Sequence, residues 1–438
     1  MKRYLLFILA SALLTPPTNA QVEWVFDFGP GALSQHSTLI TQLLRYNSAE
    51  GYGFDFENID KILMAASGKK GTAYCTSEVP FYFSVRVPEG NYEVSVLLGN
   101  PRKSSRTTIK AEARRLMLLN HPLKKGETSL ERFIVNVRSP VIQGTDSIRL
   151  KPREYNYMNW DDRLTLEFSG KDPAVQSIQI RPVEGITTIY LAGNSTVTDQ
   201  DLEPWASWGQ MITRYFDPEI AVANFAESGE SLASFKGSGR LKKVMSLIQP
   251  GDYLFIEFGH NDQKRKGDGI GPWTSFTDLL LEFASEARKK GAIPIFLTPT
   301  QRRSFDPNGK IELTHGDYPA AMRRVAGDLE VPLIDLNQMT RTLYEAWGPE
   351  ESVKAFVHYP AGTFPGQEEA LKDNTHFNAF GAHEIALCVL KGINELDLPL
   401  KDHIVHFTGQ YDPAKPSDPG KWVIPESPRY ISRKPEGN

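Results

Sequence analysis

The chain has 438 residues, 40% hydrophobic, 11% aromatic and 23% charged, with 49 Lys and Arg against 53 Asp and Glu for a formal net charge of −4. This composition is that of a soluble globular protein of two or three domains at about 150 residues each, and it excludes a wholly disordered, collagen-like or multi-span membrane protein. The balanced charge gives no footprint for nucleic acid, and the two cysteines, Cys75 and Cys388, exclude a disulfide framework and a cysteine-based zinc site; a single long-range bridge is disfavoured.

Residues 1–20 have the layout of a secretory signal peptide. Lys2 and Arg3 precede a short apolar run from Tyr4 to Leu14, and Thr18-Asn19-Ala20 offers small residues before Gln21. The run is too short to span a bilayer comfortably, and Pro16 and Pro17 would break a buried helix there. The expectation is an exported protein, periplasmic or extracellular, without a membrane span.

From 21 to 183 the pattern has period two. Phe81, Phe83, Val85 and Val87 alternate with other residues, and after Pro88-Glu89-Gly90-Asn91 the run Tyr92, Val94, Val96 and Leu98 repeats the theme, which reads as a hairpin. With the earlier run Val22, Trp24, Phe26 and Phe28 and further runs at 133–137, 164–168 and 178–180, the module reads as roughly eight short strands without a strong helical stripe, and predicts an antiparallel β-sandwich. Between 184 and 400 strands alternate with helices. Strands are predicted at 186–191, 220–225, 253–258, 294–297 and 331–334. Helices are predicted at 204–215, 240–248, 276–290, 318–329 and 379–394, with Asp317 as N-cap of the fourth. This alternation predicts a parallel sheet with helices on both faces and a site at the carboxyl ends of its strands. Residues 401–438, rich in Pro, Gly and Asp, read as an extended tail packing back across the domains.

The strand ends carry the chemistry. The first closes on Gly193-Asn194-Ser195-Thr196, the second on Glu227-Ser228-Gly229 and the third on Gly259-His260-Asn261-Asp262. A serine beside a glycine just past a strand can expose its hydroxyl near free N–H groups. An uncharged asparagine can donate to a developing oxyanion without desolvating a charge. Before the last helix stands Asp373-Asn374-Thr375-His376; in a loop, this spacing lets a carboxylate orient the imidazole. Each motif alone favours a structural reading, but their order and topological positions do not.

Together these blocks resemble the SGNH (GDSL-type) hydrolases, and within them the rhamnogalacturonan acetylesterases. The stretches Glu203 to Gln210 and Thr314 to Pro319 are also similar to that branch. The resemblance covers roughly Thr187 to Glu395. It implies a flavodoxin-like three-layer α/β/α sandwich, and the leading module resembles the galactose-binding-like sandwiches that precede some bacterial members. Carried over, Ser195 would be the nucleophile, His376 its base and Asp373 the orienting carboxylate. The N–H groups of Ser195 and Gly229 and the amide of Asn261 would form the oxyanion hole, with no metal or cofactor. The family motif has aspartate before the serine where this chain has Asn194, a position outside the triad whose work would be ordering the loop.

The implied substrate is an acetylated acidic polysaccharide or oligosaccharide, so the cleft should offer cations. Lys264, Arg265 and Lys266 follow the Asn261 block, and Arg302 and Arg303 follow the fourth strand; a solvated charge run is about as good a reading of each. Trp205 and Trp208 could stack on sugars, with core packing favoured for at least one, and His315 could lie near the cleft mouth. Tyr155, Tyr157 and Trp160 could let the β-module bind glycan, although a scaffold role is favoured. The alternatives are an esterase for another acetylated glycan, such as xylan or a sialylated sugar, and a glycan-binding protein with a degenerate hydrolase domain.

Overall fold

The computed structural model of the chain describes residues 23–28, 37–67, 72–144 and 146–436, so the predicted signal peptide lies outside the described residues. The N-terminal unit is two facing sheets. One runs in the order Ser129–Val137, Gly90–Leu98, Ala174–Val183, Trp24–Asp27 and Thr38–Leu39, with Thr72–Thr76 and Leu63–Ser67 joined to it through Ala174–Val183. The other runs Tyr52–Asp55, Phe81–Arg86, Arg163–Lys171, Ser105–Ala111 and Arg115–Leu123. Inward side chains such as Phe26, Phe83, Val94, Leu166 and Ile178 form one core between them. All pairs are antiparallel except Trp24–Asp27 with Thr38–Leu39, which is parallel.

The predicted hairpin does not form. Phe81–Arg86 and Gly90–Leu98 lie in opposite sheets, and the segment 87–89 crosses from one to the other. Alternation reports only which side chains are buried, and two strands facing each other across a core alternate just as two neighbours in one sheet do.

The second unit is a five-stranded parallel sheet in the order Ile220–Asn224, Thr187–Ala192, Tyr253–Glu257, Ile293–Leu297 and Leu333–Ile334. Its strands are buried on both sides, hence their nearly continuous apolar runs. Ile189, Leu191, Val222, Phe255 and Ile295 face the helices Leu336–Glu351 and Ala379–Glu395. Tyr190, Ala223, Leu254, Ile256 and Phe296 face Leu232–Gly237, Arg240–Leu247, Thr277–Lys289 and Tyr318–Asp328. This is the expected three-layer sandwich. No helix of the described residues is long and apolar enough to cross a membrane.

Three local expectations change. The predicted helix 204–215 shrinks to one turn, Trp208–Met211, followed by the 3-10 turn Ile212–Tyr215, because the backbone before it is committed elsewhere: Glu203 N–H donates to the Arg429 carbonyl and Ala206 N–H to that of Phe377. Asp317 precedes its helix but does not cap it; its carboxylate accepts from Trp273 Nε1 at 3.1 Å. The helix Leu336–Glu351, interrupted at Gly348, was not foreseen, although Asp335 caps it and Leu336, Leu343 and Tyr344 bury one face. Cys75 and Cys388 are buried, free thiols.

The seam between the units is charged. Arg114 pairs with Glu203, Arg138 with Asp199 at 2.8 Å and Arg240 with Glu154, all buried. The tail crosses both units: Lys110 Nζ donates to the Pro425 carbonyl, Arg429 pairs with Asp201, and Glu436 meets Arg153.

Candidate active site

Past the first parallel strand, Gly193 fits where a Cβ would stand 2.5 Å from Val197 Cγ2, so the chain turns tightly and presents Ser195. Asn194 Oδ1 accepts from Thr196 N–H at 3.0 Å and lies 2.9 Å from its hydroxyl, ordering the loop as expected. The same hydroxyl lies 2.8 Å from Glu257 Oε1, and Trp208 Nε1 donates to Glu257 Oε2 at 2.6 Å. Burial pushes the Glu257 carboxyl up to about 7. An aspartate at 194 would place a second carboxylate beside Glu257 with one hydroxyl proton between them. Asparagine keeps the acceptor without that charge, and its Nδ2 is left without a hydrogen-bond partner. Gln200 Nε2 and Ser207 Oγ donate to the Ser195 carbonyl at 3.0 and 2.6 Å, fixing the backbone under the nucleophile.

Asp373 and His376 lie on a strand, Leu371–Phe377, and not in the expected loop; it pairs irregularly with Phe356–Tyr359. Asp373 Oδ1 accepts the N–H groups of Thr375 and His376 at 2.7 and 2.9 Å, and its Oδ2 lies 2.8 Å from His376 Nδ1. Burial raises the Asp373 carboxyl, but the hydrogen bond and charge of His376 and these two N–H groups outweigh it and hold it at about 2. A charged Asp373 places the proton of the neutral ring on Nδ1, leaving Nε2 to face Ser195 Oγ at 2.8 Å. The Trp205 ring stands edge-on to the imidazole at 5.8 Å.

The second strand leads into a four-residue turn closed by Glu230 N–H on the Glu227 carbonyl at 3.1 Å, with Gly229 at φ +84°. Asn261 Nδ2 donates to the Glu230 carbonyl at 3.0 Å, so the second and third loops are tied together. Asp262, raised to about 6 by burial, accepts the N–H groups of Gly259 and Leu232 at 2.9 Å each.

The remaining predicted residues fall in different places. Lys264 Nζ lies 3.4 Å from Asn261 Oδ1; burial, then the charges of Arg302 and Lys434, lower it to about 8. Arg302 donates to the His260 carbonyl and to Thr314 Oγ1, beside His315. His315 is buried, 3.2 Å from His260 Nδ1, and burial followed by the charges of Arg302 and Lys264 lowers it to about 3, so it is a neutral ring inside the wall. Trp205 is buried with its N–H on the Ile431 carbonyl. Trp208 is core, and Trp160 packs at the seam against Phe225. Arg265 lies half-buried, its charge acting on Asp262. Arg303 binds Ser352, Asn374 and the Pro349 carbonyl.

Four contributors escape sequence reasoning: Gln200 and Glu257 beneath the nucleophile, Lys434 of the tail 3.3 Å from Asp373 Oδ2, and Arg153 of the β-module. A cavity of about 420 Å³ lies beside the site, lined by Arg153, Tyr157, Gln200, Trp205, Ser228 and Lys434 among others, with no member of the Ser195–His376–Asp373 line in its wall.

A serine at the end of a parallel strand, in one contact line with a histidine and a carboxylate, defines a serine hydrolase site, and the chain belongs to the GDSL-like lipase/acylhydrolase family, which matches residues 191–383. It is a carboxylic-ester hydrolase of the SGNH fold. Residues 24–139 match the galactose-binding domain-like unit of β-agarase/YXIM esterase-like proteins. The chain is 48% identical to rhamnogalacturonan acetylesterase RhgT of Bacillus subtilis (strain 168) over 224 residues, 51% of this chain and 96% of that one. It is 36% identical to probable rhamnogalacturonan acetylesterase YesY of the same organism over 220 residues, 50% of this chain and 97% of that one. Against the uncharacterized esterase YxiM, also of that organism, it is 26% identical over 343 residues, 76% of this chain and 84% of the other.

Proposed function

We propose that the protein is an exported carbohydrate esterase that removes O-acetyl groups from pectic rhamnogalacturonan. The observation that carries this reading is the contact line from Ser195 Oγ through His376 to Asp373 in a chain 48% identical to a rhamnogalacturonan acetylesterase. Ser195 Oγ attacks the acetyl carbonyl carbon while His376 Nε2 takes its proton. The carbonyl electron pair moves to the oxygen, which faces the N–H groups of Ser195 and Gly229 and the amide of Asn261. Collapse breaks the ester bond, and the sugar oxygen leaves with the proton from His376. Water, losing a proton to His376, then attacks acetyl-Ser195 and releases acetate. Asp373 stays charged and stabilises the imidazolium. Lys264, Arg302, Arg153 and Lys434 about the site suit a polymer that bears carboxylates.

Acetate release from acetylated rhamnogalacturonan and acetylated xylan, wild type beside Ser195→Ala, tests the reading. Release from the pectic polymer, abolished in the variant, supports it; preference for xylan replaces the substrate and keeps the chemistry. A mature protein beginning at Gln21 supports export, and one retaining Met1 removes it.

A further inference from the structure

The peptide between Ser228 and Gly229 is gripped from the other unit. Arg153 belongs to the 3-10 turn Pro152–Asn156 of the β-module, and Lys151 immediately precedes it. Lys151 Nζ and Arg153 Nη2 both donate to the Ser228 carbonyl, the latter at 2.9 Å. Lys151 also pairs with Glu230 at 3.0 Å, and Arg153 holds Glu227 Oε1 through Nη2 at 2.6 Å and Nε at 3.2 Å. The two cations therefore bracket the Gly229 turn at its entry, its centre and its exit. On the outer side, Arg153 Nη1 meets Glu436 Oε1 at 2.6 Å.

The Ser228 carbonyl and the Gly229 N–H share one planar peptide, and in a trans peptide they point in opposite directions. Holding the oxygen on two cations therefore aims the N–H away from the β-module. It also draws electron density toward the oxygen and leaves the N–H a stronger donor. The turn needs such a hold: with glycine in third place, rotation of the central peptide meets no Cβ, and the rotated form would present a carbonyl oxygen where the N–H is wanted.

We propose that Lys151 and Arg153 are positioning residues for ester hydrolysis, orienting and polarising the Ser228–Gly229 peptide so that its N–H meets the oxyanion of the acyl-transfer transition state. The inference rests on the reading of Gly229 and Asn261 as oxyanion donors. Without the clamp the donor is misplaced rather than deleted, so the expected loss is about 10- to 100-fold in kcat, less than for removing a donor.

The test uses 4-nitrophenyl acetate, whose hydrolysis needs no glycan recognition, with kcat, KM and the unfolding midpoint measured on the full chain. Lys151→Met and Arg153→Met should each lower kcat with KM within about twofold. Together they should lose more, and Arg153→Lys should recover part of the loss. Lys151→Met leaves the Arg153–Glu227 pair standing, so it reports on the peptide even where the double variant folds poorly. Unchanged kcat in Lys151→Met and Arg153→Met, or an effect confined to KM, overturns the proposal. Asn261→Ala separates the layers. If it is slow while the Lys151 and Arg153 variants are not, only the clamp is wrong; if it is fully active, the oxyanion reading falls and the clamp with it. Activity on 4-nitrophenyl acetate without activity on acetylated rhamnogalacturonan removes the proposed substrate and leaves the clamp standing.

Discussion

The main core of each unit is apolar; the seam between the units is charged. The sandwich core is built from Phe26, Phe83, Val94, Val96, Leu164, Leu166 and their neighbours. The seam buries Arg115, Arg138 and Arg240 to 2% exposure or less, against Asp199 and Glu154. The two kinds of interior do different work. Apolar contacts are non-directional, and they stabilise a unit without dictating how it meets another. A buried ion pair contributes little net stability, yet misaligning it is costly, so a row of pairs fixes one docking register. In that register Lys151 and Arg153 of the β-module meet the turn that carries Gly229, the contact on which the proposed clamp rests.

The largest effect that tests this contrast lies at the triad. Ser195→Ala or His376→Ala is expected to lower kcat on the order of 10⁶-fold with the unfolding midpoint retained, because chemistry and docking reside in different groups. Next comes the seam itself. Arg240 Nη1 donates to the Phe225 carbonyl and Nη2 pairs with Glu154, so Arg240→Ala strands a buried carboxylate and should cost about 3–5 kcal/mol in denaturant unfolding. Adding Glu154→Gln should return part of that loss. Leu166→Ala in the sandwich core, expected to cost about 2–5 kcal/mol, should gain nothing from Glu154→Gln. Equal responses of the two sites would erase the distinction between core and seam.

The smallest effect is a pH dependence. Glu257, ordinarily near 4.5, keeps its proton to about 7 when folded. Folding therefore takes up a proton between those values, and this group's contribution to stability is full below about 4.5 and lost as pH rises through 7. Glu257→Gln should flatten that slope by on the order of 1 kcal/mol, read from unfolding midpoints at pH 4.5 and 7.5. Asp373 runs the other way: held at about 2, it stabilises above the usual carboxylate range and loses this as pH falls toward 2.

Much of this was legible beforehand, for identifiable reasons. The change from period two to strand–helix alternation marks the two units, since each period follows from which side chains an element must bury. Gly193 to Thr196, Glu227 to Gly229 and Gly259 to Asp262 were legible because strand ends of a parallel sheet converge, and short loops leave their residues little freedom; Asp373 to His376 were legible from the three-residue spacing of carboxylate and imidazole. The helix Leu336–Glu351 was also within reach: Asp335 and the apolar spacing of Leu336, Leu343 and Tyr344 are local signals.

Other features have no local signal. Nothing around Phe81–Arg86 tells whether the next strand lies beside it or across the core, because both arrangements bury the same alternating face. The cations show the same limit: of those expected near the site, Arg303 is committed to Ser352 and Asn374, while Arg153 and Lys434 arrive from segments far away in the chain. Local pattern alone yields the periods, the parallel sheet and the placing of Ser195 and Asn261 at its loops; it marks Asp373 and His376 as partners, but not the strand on which they lie. Which sheet each strand joins, how the charged seam docks, and the hold of Lys151 and Arg153 on the Ser228 carbonyl emerge only from long-range packing. Local sequence encodes what a residue must bury or cap within a few positions, whereas a charge on a long side chain takes its partner from whatever the completed fold brings within reach.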